Sequence, residues 1–256
     1  FPPEKFSGHL LSGMCLPDLK GSQGTFLFYT TNPGRIKKKE GGESLLVERQ
    51  GTLIKTFIAG PENSLLARPQ EIKIPMVIRF IENEEQVEVE VSGQKFDLQK
   101  GVFSPWIKLS FPAGLGVKVR AIARFYLLST SPHFELYITP LNIDPEKPAL
   151  PVSHPFIYSS YLAKLLGSYV TLGEANDTWA LNEGVLPEQA FLDLAYSFHR
   201  ETEKILFKAL SKTRKGLVAC WFETSDSLQH MFFRYLDKSH PALRTTAQLK
   251  DGATVI

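Results

Sequence analysis

"LVACWFETSDSLQHMFFRY", residues 217–235, is the stretch on which the reading of this chain turns. Up to Glu223 it is apolar on both faces, the composition of a strand buried inside a parallel sheet with helices on either side. "TSD" follows, in the place where open α/β sheets collect their functional groups, just past the carboxyl end of a strand. A helix beginning near Ser225 to Ser227 puts Asp226 in its first turn and His230 one turn later. Residues four apart share a helix face, so both side chains can converge on one point. A carboxylate oxygen and an imidazole nitrogen at about 2.0–2.2 Å from a metal supply half of a tetrahedral zinc shell. The bland alternative is an Asp capping exposed amides beside a surface histidine that binds nothing. Spacing alone leaves both open.

Working outward, "LPEQAFLDLAYSFHRETEKILFKALSK" is the clearest helix in the chain. Phe191, Leu194, Ala195, Phe198, Thr202, Ile205, Leu206 and Ala209 follow the three-four spacing of one buried stripe. Pro187 suits the first helical position and Glu188 the positive end of the helix. "YSSYLAKLLG" is a shorter helix stopped by Gly167. Upstream, "NIDPEKPALPVSHP" holds four prolines and reads as a rigid connector. From about Leu45 to Pro140 the period is close to two, and "QVEVEVSG" alternates almost strictly, as a strand with one wet face does. Turn residues separate the runs, which suggests a sandwich or barrel of roughly six to eight strands. Residues 1–35 are rich in Gly and Pro and read as an extended segment with one strand at Thr25 to Thr30.

The expected division is therefore 1–35, an extended segment packed on the catalytic domain; 36–143, a β-rich insertion; and 144–256, an α/β portion. The chain opens "FPPEKF" without an initiator Met or a secretory pattern, and closes "DGATVI" as if a strand were starting. Both ends read as cut, so an internal piece of a longer protein is expected.

Bulk composition excludes little. Hydrophobic content of 43% with 22% charge is that of an ordinary globular protein, and a net charge of +2 gives no reason to expect a nucleic-acid polymer as partner. No run approaches the ~18 apolar residues of a membrane span. Cys15 and Cys220 read as small core residues of a reducing, cytoplasmic compartment. The basic run Arg35 to Lys39 reads as a solvated loop. His154 beside a proline turn reads as structural, Asp237 with His240 as a turn-capping pair, and Asp18 as a turn residue. His199 falls at the edge of a polar helix face. Trp106 and Trp179 read as core anchors. Neither a Walker pattern nor a convincing G-x-G-x-x-G is present.

"FETSDSLQHMFFRYLDKSHP" resembles the segment that carries a metal-binding Asp-x-x-x-His in the phosphodiesterase/nucleotide pyrophosphatase branch of the alkaline phosphatase superfamily. More narrowly it resembles a bacterial and archaeal group of predicted phosphohydrolases. "FPPEKFSGHLLSGMCLPD", "FDLQKGVFSPWIKLSF", "LYITPLNIDPEKPALPVSHP" and "WALNEGVLPEQAFL" resemble other segments of that group in the same order, so the likeness runs over most of the 256 residues. It implies an α/β fold: part of an alkaline-phosphatase-like sheet domain interrupted by a β-rich, sandwich-like insertion. It implies two divalent metal ions, zinc first with manganese or iron as alternatives, and a small phosphate ester as substrate. A Thr or Ser nucleophile would form a phospho-enzyme that metal-activated water hydrolyses. On this likeness Asp226 and His230 bind one metal together with a later His, and Asp18 lies near the mouth of the active site. The nucleophile and the second metal's ligands match no residue here: there is no Asp-His dipeptide, and the family's nucleophile falls upstream of Phe1. The competing expectation is a non-catalytic β-sandwich binding module, or a degenerate relative, which the strands fit equally well.

Overall fold

The computed structural model describes residues 7–36, 40–81, 85–236 and 239–240. The chain has mixed α and β content in several sheets and divides into two compact units, Phe1–Gly173 and Glu174–Ile256.

The first unit is mostly β. In chain order its strands are β1 (Leu10–Leu11), β2 (Phe26–Thr30), β3 (Gly42–Leu46), β4 (Arg49–Gln50), β5 (Leu53–Glu62), β6 (Glu71–Phe80) and β7 (Gln86–Val91). They continue as β8 (Gln94–Gln99), β9 (Ile107–Gly114), β10 (Val117–Ala123), β11 (Phe125–Ser129), β12 (Glu135–Ile138), β13 (Asn142–Ile143) and β14 (Ser153–His154). Strands β4 to β8 form a five-stranded antiparallel meander. A four-stranded sheet runs β11-β12-β2-β3, a three-stranded one β13-β10-β9, and β1 pairs with β14. The alternation read in "QVEVEV" is what sets the register of the meander. Val87, Val89 and Val91 are buried, while Glu88 and Glu90 face out and bond Arg79 of β6 at 3.0 and 2.8 Å. One core joins the three larger sheets: Ile54, Met76 and Val89 from the first, Tyr29 and Leu136 from the second, Phe111 and Ala121 from the third.

The first unit runs through residues 35 and 143. All five residues of β2 are buried, and the strand lies between β12 and β3 in the four-stranded sheet. "FLFY" is apolar on both faces, so a central strand satisfies it where a peripheral extended segment does not. Within the connector, Asn142 accepts from the backbone amides of Thr171 and Leu172 at 2.9 Å each, which ties residues 142–172 to the β unit. The short helix α1 (Tyr158–Leu166) ends at Gly167, whose φ of 91° few other residues adopt. Asp18 is the turn residue expected: its buried carboxylate accepts from the amides of Lys20, Ser22 and Thr25 and from the Ser22 hydroxyl. Those four bonds fill its lone pairs, so none is left for a substrate.

In the second unit the described elements are helical: α2 (Thr178–Asn182), α3 (Glu188–Lys212) and α4 (Thr224–Phe232), then a 3-10 turn at Phe233–Tyr235. Pro187 caps α3 from outside rather than opening it, with ψ at 152°. The buried stripe on α3 holds for Phe191, Leu194, Ala195 and Phe198; Thr202, Ile205, Leu206 and Ala209 are only half-buried.

The largest correction concerns 217–223. The segment belongs to no strand, and Leu217 at 90% and Trp221 at 46% exposure are in solvent, while Val218 and Phe222 are half-buried. A strand apolar on both faces needs a neighbour on each edge and cover on each face, and the described residues supply neither. Cys220 is exposed for the same reason, and Cys15 is exposed as well. Trp179 is also exposed, because the single turn-and-a-half of α2 buries Ala180 and Leu181 on its other side. Trp106 is half-buried under the Arg124 guanidinium, 4.8 Å from the ring centre. Most of the basic run Arg35 to Lys39, Asp237 and the closing "DGATVI" lie outside the described residues. Among the described residues no helix is long and apolar enough to cross a membrane.

Gly173 closes the first unit under a tight constraint. A Cβ there would fall 2.4 Å from the Cys15 nitrogen, 2.5 Å from the Leu16 nitrogen and 2.6 Å from the Gly13 oxygen, all backbone atoms that cannot rotate away. Gly173→Ala is expected to cost about 1–3 kcal/mol or more, measured by urea unfolding against wild type.

Candidate metal half-site

Helix α4 is nine residues long, too short to hold its shape in isolation, so its packing decides whether it forms. Thr224, Ser227, Leu228, Met231 and Phe232 recur at three-four spacing and make the buried face. Phe232 meets Phe191 of α3 with ring centres 6.0 Å apart. The opposite face carries Asp226 and His230.

The two expected residues are brought together. Asp226 Oδ1 lies 3.5 Å from His230 Nε2, with side chains 70% and 75% exposed. Two donors bound to one tetrahedral metal at about 2.0–2.2 Å lie about 3.3–3.6 Å apart. The donor set, one carboxylate oxygen and one imidazole nitrogen, and its spacing therefore fit a zinc-type ion. The same distance also describes an ordinary surface pair at i,i+4, worth a few tenths of a kcal/mol. Among the described residues no group of three or more His, Cys, Asp and Glu is arranged to hold a metal. The pair offers two donors.

Beneath it lies a polar cluster that sequence reasoning missed. The Glu223 carboxylate accepts from the backbone amides of Ala175 at 2.8 Å and Asn176 at 3.2 Å, and from the Ser227 hydroxyl at 3.2 Å. Asn176 Nδ2 donates in turn to Ser227 Oγ at 3.1 Å, while its Oδ1 is buried without a hydrogen-bond partner. Burial pushes the Glu223 carboxyl above the usual range, with Glu174 adding to it. The bonds from Ala175, Asn176 and Ser227 pull the other way. The one signal in the sequence was a charged residue closing an apolar run. Its partners stand 47 and 48 positions earlier, beyond any local pattern.

Glu188 departs from expectation in kind. It is 1% exposed, and its carboxylate takes Arg234 Nη2 and the Tyr235 hydroxyl, the latter at 2.6 Å to either oxygen. This cluster ties the 3-10 turn after α4 to the first turn of α3. Burial and the Glu188 bond raise the Tyr235 phenol above its ordinary value. The other histidine candidates have surroundings of their own. His154 pairs with Leu10 between β14 and β1, and His199 packs against Phe222 with ring centres 4.8 Å apart.

Compared with known proteins, the chain matches no family model, no curated protein and no solved structure.

Removing one member of a buried ion pair strands the other charge. Glu188→Leu or Arg234→Met alone is expected to cost about 3–5 kcal/mol, and the double replacement clearly less than the sum. Chemical denaturation of the three variants measures this directly.

Proposed function

We propose that this chain is a portion of a metal-dependent phosphohydrolase of the alkaline phosphatase superfamily, with an alkaline-phosphatase-like α/β domain and a β-rich insertion. In this reading Asp226 and His230 are ligands of one of two divalent metal ions, zinc before manganese or iron. The substrate is a small phosphate ester. The observation that carries the reading is the Asp226–His230 pair itself, 3.5 Å apart on the solvent face of α4 and free of any competing lysine or arginine bond among the described residues.

When bound, the metals supply Lewis acidity and activate a water. The chain's own contribution is to present two donors. Asp226 offers a carboxylate oxygen, and His230 offers Nε2 in its neutral form, so binding competes with protonation. Leu228, Met231 and Phe232 are buried on the far face of α4, along the part of the helix that carries His230. The nucleophilic Thr or Ser and the ligands of the second metal are assigned to no residue of this chain.

A second reading, a non-catalytic binding module or degenerate relative, is favoured by the lack of a third ligand among the described residues. Zinc titration followed by the His230 ring resonances in NMR separates the two. Saturable shifts that vanish in Asp226→Ala, with an unchanged circular dichroism spectrum, are the expected result. A silent His230 in wild type would remove the metal reading and leave the binding module.

A further inference from the structure

We propose that Glu223 is the positioning residue of the Asp226–His230 pair, its half-buried carboxylate clipping the first turn of α4 to the backbone of residues 175–176. The inference rests on the reading of that pair as metal ligands.

The clip has two arms. Oε2 takes the Ala175 amide and Oε1 the Asn176 amide, so the carboxylate spans two consecutive peptide groups as a fork. Oε1 also takes the hydroxyl of Ser227, the residue next to Asp226, and Asn176 Nδ2 closes the loop by donating to that same hydroxyl. Asn176 is 7% exposed and Ser227 5%, with Glu223 half-buried, so much of the network is withdrawn from water, where such bonds are strong and costly to leave unmade.

Its place along the helix decides its effect. Leu228, Met231 and Phe232 pack the later part of α4, where His230 sits. The first turn has no side-chain cap on its amides, and a helix of this length frays at an untied end. The buried residues of that turn are Thr224 and Ser227, and of the two it is Ser227 that bonds the Glu223 carboxylate. Asp226 therefore owes its placement to Glu223, while His230 owes its own to apolar packing. Metal ligands are commonly oriented by such outer partners, and losing one typically weakens binding 10–100-fold.

The test uses the full chain, with zinc as the probe and the His230 ring resonances as the readout. Glu223→Gln keeps the size but removes the fork, since an amide nitrogen then faces a backbone N–H. Ser227→Ala keeps the carboxylate and removes the link to the helix. Both are expected to raise the zinc dissociation constant by roughly tenfold or more. Ser227→Ala strands Asn176 Nδ2 and is expected to lower the thermal midpoint modestly, while the resonances of Leu228 and Met231 stay as in wild type. Zinc affinity lost while the packed face of α4 is kept is what a merely structural role would not produce. Should Glu223→Gln fail to fold, Ser227→Ala decides alone. If wild type binds zinc, Asp226→Ala does not, and Ser227→Ala binds as tightly as wild type, the positioning role is overturned and the ligand reading stands. If wild type itself shows no response to zinc, the ligand reading falls and takes the positioning role with it.

Discussion

A carboxylate almost completely removed from water must be answered by charge and hydrogen bonds, and in the helical unit Glu188 is answered by Arg234 and Tyr235. The consequence is geometric. Glu188 opens α3 and its partners close the turn after α4, so the two helices are joined at that point by polar bonds and again by the Phe191–Phe232 contact. Apolar packing tolerates sliding, and a fork of hydrogen bonds does not. The far end of α4 is thus held to the start of α3, and the Glu223 clip acts on a helix already docked at its other end.

Much of the β unit was legible because its signal is local. Val87, Val89 and Val91 alternate with Glu88 and Glu90, and a period of two admits one register once a face is buried. Gly167 and the "YSSYLAKLLG" helix were legible for a similar reason, since the stop depends on one residue's freedom at positive φ. What was missed needed partners far along the chain. β2 joins β3 in parallel and β12 in antiparallel, and neither pairing leaves a trace in "FLFYT" beyond its apolar content. The run 217–223 shows the converse. Its composition was read correctly as that of an inner strand, yet composition cannot supply the neighbours that make one.

The candidate site divides along the same line. Asp226 and His230 could be found because four residues along a helix is one turn, and one turn is a distance. The tie of Glu223 and Ser227 to residues 175–176 could not, because it crosses α2, α3 and the loops between them. Glu188 lay between these cases: its place at the start of α3 was expected, while its burial followed from Arg234 and Tyr235, which sequence spacing does not connect to it.

The exposed run at 217–222 has a bearing on how the protein behaves in the test tube. Six residues, "LVACWF", carry no charge and no proline, four of them are exposed, and their backbone has no ladder partner among the described residues. Such a segment is a template for strand pairing between molecules, and nothing within it acts as a gatekeeper. Lys215 and Glu223 flank it as the nearest brakes, one at each end. Self-association through this run would draw on side chains that contribute little to the core of the β unit, so the two could vary independently.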